Sequence, residues 1–253
     1  MAEHRPFSSG THYAKAPIVE AILEFQVESP LSDLDELLPL ADRLEGWSDA
    51  THDYLLASEV ALSPAGAEVA SPQHVAHIFS RADQARTLHA ALDRCAYSWG
   101  ANYETWEELA SEAVAAWEVY RDLAKPTHLR RIGTRFVNVI DIPSTVVEIK
   151  DYLRTSVDIS PYLPQALEGF FMQVEVPLDY EHQMGVKISS TIALAPPGST
   201  RIVLDLDTYK RCNLDLQGAD LTDRLWSELS TLREAKDYVF EACITDATRG
   251  LIR

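Results

Sequence analysis

The chain of 253 residues has few cysteines, and they are not placed to form a local cluster. Cys95, Cys212 and Cys243 lie far apart and form no CxxC pair. Neither a disulfide framework nor a zinc site of the usual spacing is therefore predicted. We expect a reducing, cytoplasmic compartment, no metal ion and no cofactor.

Glycine is also scarce, and its ten residues are isolated from one another. Nucleotide-binding loops need clustered glycines so that backbone N–H groups can approach phosphates, and neither GxxxxGK[ST] nor GxGxxG occurs. The GxSxG turn of α/β-hydrolases is missing as well. No stretch approaches the roughly 18 apolar residues of a membrane span, and the N-terminal segment lacks the apolar run of a signal peptide.

Basic residues are outnumbered, with 22 Lys and Arg against 39 Asp and Glu, for a formal net charge of −17. Such a charge repels phosphate backbones and anionic lipid surfaces at long range. We therefore expect neither nucleic acid nor a membrane as a partner. The expected binding partner is therefore a protein or a small ligand, and a second copy of the chain could form a homodimer.

The hydrophobic pattern predicts an α+β fold. After a flexible lead-in at residues 1–14, a first unit at 15–126 and a second at 127–253 each follow the order strand, helix, three strands, helix. Antiparallel strands joined by short turns need their apolar face covered, and each unit ends in a long amphipathic helix that can cover it. We expect the units to form one pseudo-symmetric domain with a curved, mostly antiparallel sheet covered by helices.

The individual elements follow from periodicity, caps and turns. In the first unit we expect a strand at 17–28, a helix at about 31–45, strands at 54–62, 74–81 and 95–99, and a helix at 106–125. The alternative to the strand at 74–81 is a helix that extends over residues 82–92. In the second unit we expect a strand at 128–142, a short helix at 146–154, strands at 170–178, 185–195 and 201–209, and a helix at 221–243.

Three motifs occur in order along the chain: KAPIVEA at residues 15–21, RIGTRFVN at 131–138 and FEACIT at 240–245. With these motifs the chain resembles a family of uncharacterised, sporadically distributed bacterial proteins of about this length. The resemblance implies one module that spans nearly the whole chain. It also implies the patchy distribution of genes that travel in toxin, immunity or defence cassettes.

Charged residues in the middle of predicted strands are the main candidates for a site. Such charges are costly unless they are paired or hydrated. Residues two or four apart share one face of a strand, so these charges fall in pairs on three strands. The candidate binding residues are Glu20, Glu24, Arg131, Arg135, Asn138, Asp205 and Asp207. Cross-strand ion pairing on a hydrated face is the alternative to a ligand site, and in both cases we expect Arg131 or Arg135 to pair with a carboxylate.

The spacing of the histidines does not predict a metal site. His74 and His77 lie three apart on a predicted strand, so they should point to opposite faces and serve as packing or surface residues.

On the C-terminal helix the apolar residues extend beyond one stripe, and Trp226 falls beside that stripe. We expect Trp226 to contact a partner. The excess apolar surface is covered either by a second copy of the chain or by the helix with Trp106 and Trp117 of the same chain, and we favour the homodimer.

These observations favour a non-enzymatic module that binds a protein or a small ligand, as an accessory or immunity component of a toxin or defence cassette. No catalytic residue is assigned. The alternative is an enzyme that uses the strand-borne Glu, Arg and Asp residues in a central groove. A central groove is expected because the opening strands of the two units, around Ile22 and Phe136, should meet in one sheet.

Overall fold

The structure is a computed structural model that describes residues 12–48, 50–55, 60–63, 66–69, 73–81, 85–100, 102–164, 167–218 and 220–253. The strands are β1 (Ile18–Glu28), β2 (Thr51–Leu55), β3 (Val60–Ser63), β4 (Gly66–Val69), β5 (Gln73–Ser80), β6 (Arg86–Ala90), β7 (Arg94–Trp99), β8 (His128–Ile142), β9 (Phe171–Asp179), β10 (Met184–Ala193) and β11 (Thr200–Asp215). The helices are a 3-10 helix (Leu34–Leu37), α1 (Leu40–Arg43), α2 (Trp106–Ala124), α3 (Ile149–Tyr152), α4 (Leu221–Cys243) and α5 (Asp246–Ile252).

Within the described ranges, nine strands form one antiparallel sheet in the order β2-β5-β6-β7-β1-β8-β11-β10-β9, and β3 pairs with β4 separately. Strands β1 and β8 are direct neighbours at the centre, where Ala21 lies opposite Phe136 and Ile22 opposite Arg135. The predicted α+β class is confirmed, and so is the pairing of the two opening strands in one sheet.

Helices α2 and α4 cover one face of this sheet, α2 over β1 and β7 and α4 over β8 and β11. The alternation in β1 supplies that face, because Leu23 and Phe25 are buried while Glu24 points away. Phe25 stacks on Trp117 of α2 with ring centroids 4.9 Å apart. The covered face is therefore the hydrophobic core, as the amphipathic pattern predicts.

The helix ends follow the predicted capping signals. Thr105 caps α2, since its Oγ1 accepts a hydrogen bond from the N–H of Glu108 at 3.3 Å. The helix ends at Lys125, which has a φ of 46° and stands immediately before Pro126. In α4 the predicted apolar stripe is buried. Among the helices of the described part of the chain, none is long and apolar enough to cross a membrane.

Three predicted elements of the first unit differ. The helix expected at 31–45 is split into the 3-10 helix and α1, because Pro39 lacks the N–H needed to continue a helix. Strand β6 lies where residues 82–92 fitted a helix, and its alternating burial of Leu88 and Ala90 explains the strand. The strand expected at 54–62 is instead the end of β2 and the start of β3, with residues 56–59 outside the described ranges.

The two ends of the chain add contacts that the pattern did not predict. Most of the predicted lead-in, residues 1–11, lies outside the described residues. Tyr13 is buried, and its Oη donates a hydrogen bond to Glu241 of α4 at 2.6 Å. Its ring lies 6.1 Å from that of Phe240. The segment around Tyr13 thus covers part of the apolar surface of α4 that the sequence left unaccounted for.

Candidate functional site

The sheet face opposite α2 and α4 carries charge along its central strands. Because β1, β8 and β11 are neighbours in the sheet, alternation brings charged side chains of all three onto this face. We call them the central charged network: Glu20, Glu24, Arg131, Arg135, Asp205 and Asp207. Six of the seven predicted binding residues therefore lie together.

Arg131 lies in the middle of the network, between two carboxylates. Its Nη1 donates to Glu24 Oε1 at 2.6 Å, and its Nη2 donates to both carboxylate oxygens of Asp207 at 2.7 Å. The Arg131 side chain is only 15% exposed. Two carboxylates on opposite neighbouring strands thus fix one guanidinium, which is the arrangement a mostly buried charge needs.

Arg135 makes a second, more exposed pair. Its Nε and Nη2 donate to the two oxygens of Asp205 at 2.9 and 2.7 Å, and its side chain is 50% exposed. The prediction that Arg131 or Arg135 pairs with a carboxylate is confirmed, and both arginines do so. Glu20 has a different partner, since it accepts a hydrogen bond from the buried Ser98 of β7 at 2.5 Å.

Gly133 makes the Arg131 geometry possible. A Cβ atom at position 133 would lie 2.5 Å from Arg131 Nη1 and 3.0 Å from its Cζ. The guanidinium therefore occupies the space above Gly133, which is directly opposite Glu24 in the neighbouring strand. Any larger residue would displace it. The Arg-x-Gly-x-Arg spacing of residues 131–135 thus has a physical reason.

Tyr209 extends the network toward the β9 edge. The guanidinium carbons of Arg131 and Arg211 lie 4.8 and 4.9 Å from its ring centroid, within cation–π range. Its Oη donates a hydrogen bond to Glu175 of β9. The ring packs against Gly185, where a Cβ would lie 2.6 Å from Oη.

A groove of about 700 Å³ runs along this face across seven neighbouring strands, from β2 to β11. Its charged and ionisable lining consists of Glu20, Glu24, Asp53, His74, His89, Asp93, Arg94, Arg131, Arg135 and Asp207. Five of these described residues are carboxylates and three are arginines. The groove thus has an excess of negative charge.

The arginines of the groove supply fixed positive charge. Hydrogen bonding to Asp205 raises the pKa of Arg135, and hydrogen bonding to Asp93 raises that of Arg94. The same bond from Arg94 lowers the pKa of Asp93. These guanidinium groups stay protonated at all physiological pH values, so they serve as hydrogen-bond donors and not as proton donors.

Asn138 does not join the network. It lies on the helix-covered face, where its side-chain amide donates to the carbonyl oxygens of Phe136 and Leu204, both at 3.1 Å. There it lines a second cavity of about 520 Å³, between residues 12–18 and the helices α2 and α4. Its odd spacing of three from Arg135 accounts for the opposite face.

The second cavity contains one buried cation, Lys236. Its side chain is 14% exposed and donates to Asp237 Oδ1 at 2.5 Å. The Nζ atom lies 4.6 Å from the ring centroid of Phe136 and 5.5 Å from that of Trp106. Burial lowers the pKa of Lys236.

The histidine prediction was wrong about geometry. Asp53 pairs with Ala76 whereas Tyr54 pairs with His74, so Val75 is an extra residue that forms a β-bulge in β5. The bulge shifts the alternation by one residue and brings the rings of His74 and His77 to 4.7 Å, with His52 4.4 Å from His74. Burial lowers the pKa of His77, and the neighbouring His74 and His52 lower it further.

The predicted partner contact, Trp226, and the three cysteines lie outside the groove. Trp226 is 41% exposed on α4 and lines neither cavity. All three cysteines are unpaired, and burial raises the pKa of Cys212 and Cys243 to about 11. These thiols are therefore poor nucleophiles at neutral pH.

Sequence reasoning missed several groove residues, among them Asp53, His89, Arg94 and Ser98. They lie on strands that are distant in sequence from β8, and only strand order brings them to the network. Gly133 could have been found from the sequence, because a glycine in the middle of a strand often marks close approach of another group.

Comparisons of the chain with models of known protein families and with curated proteins find no match.

Proposed function

We propose that the chain is a non-enzymatic binding module whose groove on the charged face holds a basic segment of a protein partner. The observation that carries this proposal is the lining of the groove. Five carboxylates face three arginines there, and the arginines are already paired with carboxylates of the same chain. The remaining negative charge favours a ligand that brings ammonium or guanidinium groups.

The ion pairs support binding over catalysis. Glu24, Asp205 and Asp207 each accept hydrogen bonds from an arginine, and Glu20 accepts one from Ser98. Carboxylates held in this way keep their geometry when a ligand arrives, which lowers the entropic cost of binding. The alternative, an enzyme using the same residues, requires one of them to exchange a proton with a substrate.

The charge of the whole chain supports the same class of partner. A net charge of −17 attracts a basic protein over long distances and raises the rate of encounter. Such attraction weakens as salt is added. A role as an accessory or immunity component of a toxin or defence cassette is the biological form of this proposal, and it rests on the family resemblance.

We also propose that the two units, 15–126 and 127–253, are related by a pseudo-twofold axis. Outward from the centre the sheet reads β1-β7-β6-β5-β2 on one side and β8-β11-β10-β9 on the other, so the first side has one strand more. In each direction the opening strand comes first and the last strand of the unit second. In each unit a long helix, α2 or α4, follows this last strand and covers the same face of the sheet. The groove lies beside the junction of β1 and β8, where the pseudo-axis would pass.

Two further parts of the proposal concern assembly and compartment. The exposed Trp226 is the proposed contact of a homodimer, because a large exposed aromatic side chain is an effective anchor for a partner. Light scattering on the wild type and on Trp226→Ala measures this directly. The three unpaired cysteines support a reducing compartment such as the cytoplasm.

The binding proposal is tested with a fluorescent oligoarginine peptide and an oligoglutamate peptide as probes, measured by fluorescence anisotropy. Glu20→Gln combined with Asp53→Asn removes two negative charges from the groove. Asp122→Asn combined with Asp246→Asn removes the same charge from exposed positions elsewhere. This second pair is the matched control for net charge.

We expect the wild type to bind oligoarginine and not oligoglutamate. The groove variant should bind oligoarginine about tenfold more weakly, because two of its pairing partners are lost. The control variant should lose much less affinity. Equal losses in the two variants would mean that the peptide binds through net charge alone, which contradicts a groove-specific site.

A further inference from the structure

Three histidines from two strands converge at one end of the sheet. The ring centroids of His52 and His77 are 5.5 Å apart, and His74 lies between 4.4 and 4.7 Å from each of them. One ring nitrogen from each residue lies within 4.8 Å of the other two. His52 Nδ1 and His74 Nε2 are 3.1 Å apart.

His77 is the buried member of this cluster. Its side chain is fully buried, and within the described part of the chain neither ring nitrogen has a hydrogen bond of good geometry. Its nearest carboxylate oxygen, Asp35 Oδ1, lies 3.4 Å from Nε2. A buried imidazole whose nitrogens have only weak contacts, with Asp35 and the backbone of Leu34, is costly, and a bound ligand would satisfy it.

The backbone builds the cluster in a specific way. The bulge at Val75 places His74 and His77 on one side of β5, and His52 lies directly opposite His77 in β2. Bulges often re-aim a side chain next to a functional site. Regular alternation would have separated the two histidines of β5.

We propose that His52, His74 and His77 form a binding site for a divalent transition-metal ion of the zinc class. Imidazole nitrogens bind zinc, copper, nickel and cobalt, whereas calcium and magnesium prefer oxygen ligands. Zinc–nitrogen bonds of about 2.0–2.1 Å in a tetrahedral site place two ligand nitrogens about 3.3 Å apart. The 3.1 Å between His52 Nδ1 and His74 Nε2 is close to this value.

Asp35 is the positioning residue of the site. A histidine that binds a metal through one nitrogen usually donates its other N–H to a carboxylate or carbonyl, and Asp35 stands near Nε2 of His77. His74 Nε2 lies 2.9 Å from the carbonyl oxygen of Ala76. Coordination through this nitrogen replaces the proton there, and the proton moves to Nδ1 as the other neutral tautomer.

The site is tested on the full chain after chelator treatment and dialysis. ZnCl₂ binding is measured by isothermal titration calorimetry, and visible absorption of the Co²⁺ complex reports tetrahedral coordination. The variants are His52→Ala, at an exposed position, and His77→Ala, which removes the buried ligand. His89→Ala is the matched control, because His89 lies on the neighbouring strand β6, opposite Ile78, and is not one of the three clustered histidines.

We expect the wild type and His89→Ala to bind one zinc ion per chain, with zinc raising the Tm of both. His52→Ala and His77→Ala should bind zinc at least about tenfold more weakly. Asp35→Asn should weaken binding about tenfold while the Tm without metal stays unchanged. If His77→Ala does not fold, His52→Ala alone decides the question. Wild-type affinity in His52→Ala, no zinc binding by the wild type, or an equal loss in His89→Ala would overturn the proposal.

Discussion

The two faces of the nine-stranded sheet use the same strands for opposite purposes. Leu23 and Glu24 are neighbours in β1, as Phe136 and Arg135 are in β8, yet the first of each pair contacts the core and the second belongs to the charged network. The covered face removes apolar surface from water, which stabilises the fold. The charged face holds ion pairs whose desolvation offsets much of their attraction.

This difference is the reason for placing the proposed binding site on the charged face. Apolar residues on the charged face would give a stable sheet as well, so stability alone does not explain charges at the centre of three strands. Paired charges do provide fixed hydrogen-bond donors and acceptors at defined positions. Three comparisons of variants, taken from the largest expected effect to the smallest, sharpen the contrast between the faces.

The covered face should show the largest loss of stability. Phe25→Ala removes a fully buried ring that stacks on Trp117, and it should lower the free energy of unfolding by about 3–5 kcal/mol. Urea denaturation measures this loss. Leu194→Ala, at a position that is 95% exposed, is the control and should have little effect. A similar loss in both variants would contradict the assignment of the core.

Within the charged face, the two arginines should differ. Arg131→Met leaves Glu24 and Asp207 without their shared partner at a mostly buried position, and it should cost about 2–3 kcal/mol. Arg135→Met breaks a half-exposed pair and should cost about 1 kcal/mol or less. Urea denaturation of the two variants side by side gives the comparison. Equal losses would mean that burial does not set the strength of these pairs.

The loss of stability caused by a substitution at Gly133 should depend on the presence of the Arg131 side chain. Gly133→Ala pushes the guanidinium out of its place and should cost about 1–2 kcal/mol. In combination with Arg131→Met it should add little, because the displaced interaction is already gone. Gly169→Ala is the control, since no atom lies near its Cβ position. Fully additive effects in the double variant would show that Gly133 serves some other contact.

Local sequence was enough to predict the elements that alternate regularly. The alternation in β1, β8 and β11 located all six members of the network, the capping signal located α2, and the apolar stripe located α4. Features that depend on a partner strand could not be predicted. The bulge at Val75 depends on how β2 pairs with β5, and Ser98 meets Glu20 only because β7 lies beside β1.

The most direct test of the proposed site is an NMR titration of the chain with the oligoarginine peptide. If the groove binds the peptide, the largest shifts should fall on the side-chain Nε–H signal of Arg135 and on backbone amides of residues 20–24, 94–98 and 131–135. Alternate residues of these segments line the groove. Shifts confined to residues 12–18, 103–107 and 233–241, around the second cavity, would contradict the account.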